Sequence, residues 1–145
     1  MLVSSEGKTG ATLGHVCIEV SDLLNSRKFY EVLLGKLDFK VIMDTKETIG
    51  FSNGVFNVWL VESREPRVRR EPPTQEESVI ADHVAILVNS KRTIDVVARE
   101  MKRNGFVALF PPEEHSEFRP GYYAASFCDP DNYVIEVYTK PARKY

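Results

Sequence analysis

The sequence predicts an α+β protein: two tandem βαβββ units pairing into a curved, half-open barrel around a central cavity. Two observations carry this reading. The run Gly14-His15-Val16-Cys17-Ile18-Glu19-Val20 returns as Asp82-His83-Val84-Ala85-Ile86-Leu87-Val88, matching at His, Val, Ile and Val with a constant offset. Each run is followed by a polar turn, an amphipathic helical pattern ending near a glycine, and short apolar strands. Self-similarity on this scale marks two copies of one supersecondary unit. The units span about 13–62 and 82–139, joined by a linker over 63–81, within a single domain over 1–145.

The elements follow in order. Met1 to Thr12 reads as a flexible arm. Leu13–Val20 is a strand, with His15, Cys17 and Glu19 on one face and Val16, Ile18 and Val20 on the other. The aliphatic face is the one expected to pack under a helix. Ser21 or Asp22 caps that helix, which buries Leu23, Phe29, Val32 and Leu33, runs to about Leu34 and stops at Gly35. Strands are expected at Phe39–Met43, Glu47–Phe51 and Phe56–Glu62. Ser63 to Ala81 has no periodicity and several prolines, and reads as a solvent-facing linker. In the second unit a helix starts near Ser90 or Lys91, buries Ile94, Val97, Ala98 and Met101, and stops at Gly105. Phe106–Phe110 is a strand, and Pro111 to Gly121 a long acidic loop. Tyr122–Cys128 and Tyr133–Tyr138 are the last strands, joined by the turn Asp129-Pro130-Asp131-Asn132.

Composition narrows the function classes. At 145 residues, 43% hydrophobic and 28% charged, the chain is an ordinary globular domain that buries about two-thirds of its unfolded surface. A net charge of -2 with mixed signs argues against a nucleic-acid binder, which would carry a basic face. No apolar run approaches the ~20 residues of a membrane span, and Met1 to Ala11 has no apolar signal core. The chain is therefore expected to be cytoplasmic, without membrane partners. Cys17 and Cys128, both within strands, are expected to be reduced thiols acting as small buried hydrophobes.

Two units paired about a pseudo-twofold axis bring their first strands together, so His15 and His83 would point into one concave surface. Glu136 interrupts an aliphatic and aromatic strand, on the face away from Ile135 and Val137. A carboxylate on a core strand is costly without a partner. Two imidazoles and one carboxylate on rigid strands suit one divalent transition metal with open coordination positions. The competing reading makes each histidine a hydrogen-bonded packing residue, and pairs Glu136 with solvent, Lys140 or Arg143. Glu19 is about four residues from His15, roughly 13 Å at strand rise, too far to share a metal. His115, in the acidic loop, reads as a flexible surface residue, or with Tyr123 as one that closes over the pocket. Arg67, Arg69 and Arg70 read as a solvated linker face, or as a cluster that draws an anionic substrate.

The paired units, the two His-bearing strands, Phe29-Tyr30 and the stretch Gly121 to Glu136 resemble the vicinal oxygen chelate superfamily. That superfamily contains glyoxalase I, extradiol dioxygenases, fosfomycin thiol transferases and bleomycin-resistance proteins. The resemblance covers Leu13 to Thr139 and implies metal ligands on the first and last strands of each unit. His15, His83 and Glu136 match three of these positions, with Glu136 also the expected catalytic residue. The fourth falls near Val58, Trp59 or Leu60, none of which binds a metal. The set His-His-Glu is compatible with Fe, Mn, Zn, Ni or Co. The resemblance implies a lyase, isomerase or dioxygenase acting on a small oxygenated molecule through chelation of vicinal oxygens. It also implies a homodimer, with each site built within one chain or with His15 from one subunit and His83 and Glu136 from the other. The alternative is a metal-free binding or sequestration protein of the bleomycin-resistance type, its cavity lined by Trp59, Tyr122 and Tyr123.

Overall fold

The computed structural model describes residues 9–65 and 71–140. Each repeat forms its own four-stranded mixed sheet. In the first, β1 (His15–Val20), β4 (Asn57–Glu62), β3 (Thr48–Ser52) and β2 (Lys40–Asp44) lie side by side in that order. In the second the order is β5 (His83–Leu87), β8 (Val134–Thr139), β7 (Tyr123–Cys128) and β6 (Ala108–Glu114). First and last strands of each unit pair in parallel, and the other pairs are antiparallel. A parallel pairing needs a crossover, supplied by α1 (Leu23–Gly35) and α3 (Lys91–Arg103). The two sheets stay separate and close no barrel, so the α+β arrangement is half open.

Strand alternation decides which face is buried. Ile18, Val20, Leu60, Ile86, Ile135 and Val137 turn toward the helices and join one core with Phe29, Leu33, Ile94, Val97 and Met101. At roughly 25 cal/mol per Å² of apolar surface, this burial is the main force holding sheets to helices. The opposite faces stay open: His15, Cys17 and Glu19 are exposed on β1, as are His83, Ala85 and Leu87 on β5. Cys17 is thus exposed, not buried as expected, because alternation ties it to the His15 face. Cys128 is half-buried, and both thiols are free.

Asp22 caps α1 by accepting from the Asn25 N–H, and Ser90 caps α3 by accepting from Thr93. Gly105, at φ +85°, ends the second helix as expected. Gly35 does not end the first. It is the last helical residue, and the left-handed turn falls at Asp38, φ 64°. The Leu37 and Phe39 N–H groups both bond to Leu34 O, so the chain turns late enough to bury both side chains.

Two loop expectations also change. The linker contains α2 (Gln75–Ser78), held by a capping box between Thr74 and Glu77. Gln75 Nε2 donates to Leu109 O at 2.7 Å, docking this turn on the second sheet and burying Ser78. The arginine cluster at 67, 69 and 70 lies outside the described residues. The strand β6 runs through Pro111 and Pro112, where a loop was expected. It is an edge strand with register shifts on both sides of Phe110, a setting that tolerates prolines.

The units meet through α1 and α3, with Phe29 edge-on to Phe106 at 5.3 Å. No helix among the described residues is long and apolar enough to cross a membrane.

Candidate functional site

His83 opens β5 and Glu136 lies on its parallel neighbour β8, where it pairs in register with Ala85. Residues two apart on a strand share a face, so both side chains rise from the open side of the second sheet. Nδ1 of His83 is 2.7 Å from Ala81 O. A carbonyl only accepts, so Nδ1 donates, and in the neutral ring the lone pair is on Nε2. That nitrogen stands 3.6 Å from Glu136 Oε2. The other carboxylate oxygen, Oε1, accepts a hydrogen bond from the Tyr122 hydroxyl. Burial, and then the bond to Glu136, push the Tyr122 hydroxyl far above its ordinary range, so it remains a donor.

Around this pair opens a cavity of about 220 Å³. Its walls include Phe110, Phe118, Tyr122 and Val134, with Ala124 and Ser126 leaving room on β7. Ser78 and Val79, from the end of α2, border it, as does His115. His115 is 7% exposed, so it is not the flexible surface histidine the loop composition suggested. Its own N–H bonds to Tyr122 O at 2.7 Å and its ring meets Phe110 edge-on at 5.3 Å, which fold the loop back over the sheet. No spacing pattern in 111–121 carries that signal.

Tyr122, Ala124 and Ser126 share the cavity face, as a period of two requires. Tyr123 therefore turns the other way, toward α3. Its hydroxyl donates to Asp95 at 2.6 Å, which with partial burial pushes it up to about 12, and Lys91 Nζ lies 5.3 Å from its ring. Trp59 stands on β4 in register with Cys17, on the first unit's open face, its indole lying over Gly50. Neither Tyr123 nor Trp59 lines the cavity.

The donor set tests the metal. Two ligand atoms about 2.1 Å from one tetrahedral ion stand about 3.4 Å apart, close to the His83–Glu136 separation of 3.6 Å. The bond from His83 Nδ1 to a backbone carbonyl is the support a metal-binding imidazole needs, and Tyr122 supports the carboxylate in the same way. Among the described residues, however, no group of three or more His, Cys, Asp or Glu is placed to hold an ion. His15 is exposed on the other sheet and does not border the cavity. The chain by itself assembles two donors of the expected three.

The fold is a half-open α+β arrangement of repeated βαβββ units, with an imidazole and a carboxylate on adjacent strands of the second. The chain belongs to the glyoxalase/bleomycin resistance protein/dioxygenase superfamily, whose sequence profile matches residues 12–137. The uncharacterized protein YqjT of Bacillus subtilis (strain 168) is 27% identical over 123 residues, covering 85% of this chain and 94% of that one. A glyoxalase/bleomycin resistance protein from Albidiferax ferrireducens T118 superposes with a TM-score of 0.70 at 21% identity, covering 90% of this chain and 100% of its own. The fosfomycin resistance protein FosX from Listeria monocytogenes gives 0.66 at 17%, covering 90% and 94%. At these identities the solved structures share the fold.

Proposed function

We propose that the protein is a divalent-metal-dependent enzyme, a lyase, isomerase or dioxygenase, that acts on a small oxygenated substrate in the cavity of the second unit. The observation that carries this is the His83–Glu136 pair, with Nδ1 tied to Ala81 O and Nε2 turned to the carboxylate at 3.6 Å. A second copy of the chain supplies His15, from the exposed face of β1, and the enzyme is a homodimer. The bound metal supplies Lewis acidity toward adjacent substrate oxygens. The chain's own residues do the rest. Ala81 O holds the His83 ring, and Tyr122 orients Glu136, the carboxylate on which catalysis depends. Phe110 and Phe118 give the substrate apolar walls that thin out water. The free thiols suit a cytoplasmic setting.

The test is metal analysis of protein purified without chelator or affinity metal, beside His15→Ala, Glu136→Ala and a refolded mixture of the two. A shared site predicts near-stoichiometric metal in the wild type and none in either variant. It also predicts recovery in the mixture, because one site of each mixed dimer then holds an intact His15 with an intact His83 and Glu136. No recovery overturns the shared site. No metal in the wild type, even after reconstitution, overturns the metal reading. It would favour metal-free sequestration in the cavity walled by Phe110, Phe118 and Tyr122.

A further inference from the structure

The sequence holds two Asn-Gly steps, Asn53-Gly54 and Asn104-Gly105, and the fold treats them differently. Such a step is chemically weak, because glycine has no side chain to shield its main-chain nitrogen from the preceding side-chain amide. Both glycines turn the chain at positive φ, +84° and +85°, and nothing lies within 4 Å of a Cβ built at either. Crowding therefore does not separate the two steps. Their hydrogen bonds do.

Asn53 lies in the turn between β3 and β4. Its Oδ1 accepts from the Val55 and Phe56 N–H groups at 2.9 and 3.1 Å. Two donors thus stand on the oxygen that takes up negative charge when the amide carbon is attacked, the arrangement of an oxyanion hole. The Gly54 N–H, on the attacking nitrogen, donates to Ser52 Oγ at 3.1 Å. A hydroxyl both accepts and donates, so it can pass that proton on to water. Asn53 Nδ2, the leaving group, has no hydrogen-bond partner among the described residues. Val55 is 76% exposed, so water reaches the turn. Asn104, at the end of α3, is held the opposite way. Its Nδ2 donates to Glu100 O at 2.9 Å, and among the described residues no donor reaches its Oδ1. The Gly105 N–H donates to Lys102 O at 3.0 Å, and a carbonyl cannot relay a proton. Leaving group and attacking nitrogen are both tied to the last turn of the helix.

We propose that Asn53 is a modification site, where the folded turn promotes spontaneous deamidation to aspartate and isoaspartate, while the helix end protects Asn104. A bond forms between Gly54 N and Asn53 Cγ, the Cγ–Nδ2 bond breaks, and ammonia leaves with the proton given up by Gly54. Water then opens the resulting imide ring at either of its carbonyls. Opening at Cγ leaves aspartate, and opening at the main-chain carbonyl routes the backbone through the side chain as isoaspartate. One water is consumed and one ammonia released. Asn57, at the end of the same turn, donates its N–H to Gly14 O at 3.1 Å and pairs in register with His15. Isoaspartate adds a carbon to the main chain, so the change falls at the His15 end of β1. The reaction needs no metal and no second copy, and so goes beyond the function proposed above.

The test is incubation of the full-length protein at mildly alkaline pH, folded and in guanidinium chloride, followed by proteolysis and mass analysis of both Asn-Gly peptides. Deamidation makes a peptide about 1 Da heavier, and an isoaspartyl methyltransferase labels the isoaspartate. In the folded protein Asn53 is expected to react at least about tenfold faster than Asn104. In denaturant, where the hydrogen bonds are gone, the two rates are expected to agree within about threefold. Asn53→Gln, whose longer side chain closes the ring poorly, is expected to lose the gain at 53 and keep the slow rate at 104. An unmodified Asn53, comparable rates at the two steps in the folded protein, or a rate ratio that denaturant leaves unchanged overturns the proposal. Should Asn53→Gln fail to fold by circular dichroism, the folded and denatured rates of the wild type decide alone.

Discussion

The Tyr30 hydroxyl donates to Asp129 Oδ2 at 2.6 Å, inside the protein and across the two repeats. Tyr30 belongs to α1 of the first unit, and Asp129 opens the turn between β7 and β8 of the second. Oδ1 of the same carboxylate accepts from the Asp131 and Tyr133 N–H groups at 2.9 and 2.8 Å. One buried carboxylate thus closes a turn and ties that turn to the other half of the molecule.

Tyr30→Phe removes a donor that crosses between the units and leaves Oδ2 buried without it, a loss of about 1–3 kcal/mol in denaturant unfolding. The pH dependence has a definite sign. Burial raises the Asp129 carboxyl above its usual range despite the three donors. A raised native value means that stability from this group is full below about 3.9, the ordinary aspartate value, and is lost as pH rises through the native one. Asp129→Asn cannot titrate. The wild type's stability relative to this variant should fall as pH rises from the acid range toward neutrality, and parallel unfolding curves would contradict the assignment.

Gly50 and Trp59 face each other across β3 and β4. A Cβ built at Gly50 stands 2.2 Å from Trp59 Cζ3, so Gly50→Ala forces the indole aside. The expected cost is about 1–3 kcal/mol. Trp59 is the only tryptophan, so its emission reports the displacement directly. Unchanged emission and unchanged stability would show that the ring is not seated on the glycine.

Adjacent tyrosines should separate in a metal titration. Tyr122→Phe releases Glu136 Oε1 and should weaken metal binding about 10–100-fold, the usual effect of losing a group that orients a ligand. Tyr123→Phe loses its bond to Asp95 on α3 and should leave metal binding unchanged. Equal effects from the two changes would show that Tyr122 does not hold the carboxylate in place.

Much of this was legible before folding. The repeat placed two strand–helix–strand units, and the alternation of Val16, Ile18 and Val20 against His15, Cys17 and Glu19 assigned both faces of β1. The same period put Glu136 opposite Ile135 and Val137, on the open face it occupies. The period also separates Tyr122 from Tyr123, although it does not say which of the two meets the cavity. The helix starts, at Ser21 or Asp22 and near Ser90 or Lys91, and the stop at Gly105 were legible too, because each is local chemistry of one turn.

By itself, then, the sequence determined the repeats, the element types and the face on which each strand residue lies. These depend on backbone geometry over a few residues, where a period of two or of 3.6 leaves a written trace. Tertiary structure decided which groups meet. It buried His115 by folding a proline-bearing edge strand and its loop back onto Tyr122, and it docked Gln75–Ser78 at the cavity rim. It also joined His83 to Glu136 while leaving His15 on the open face of the other sheet. Such meetings are set by long-range packing between elements far apart in the chain, and no local periodicity records them.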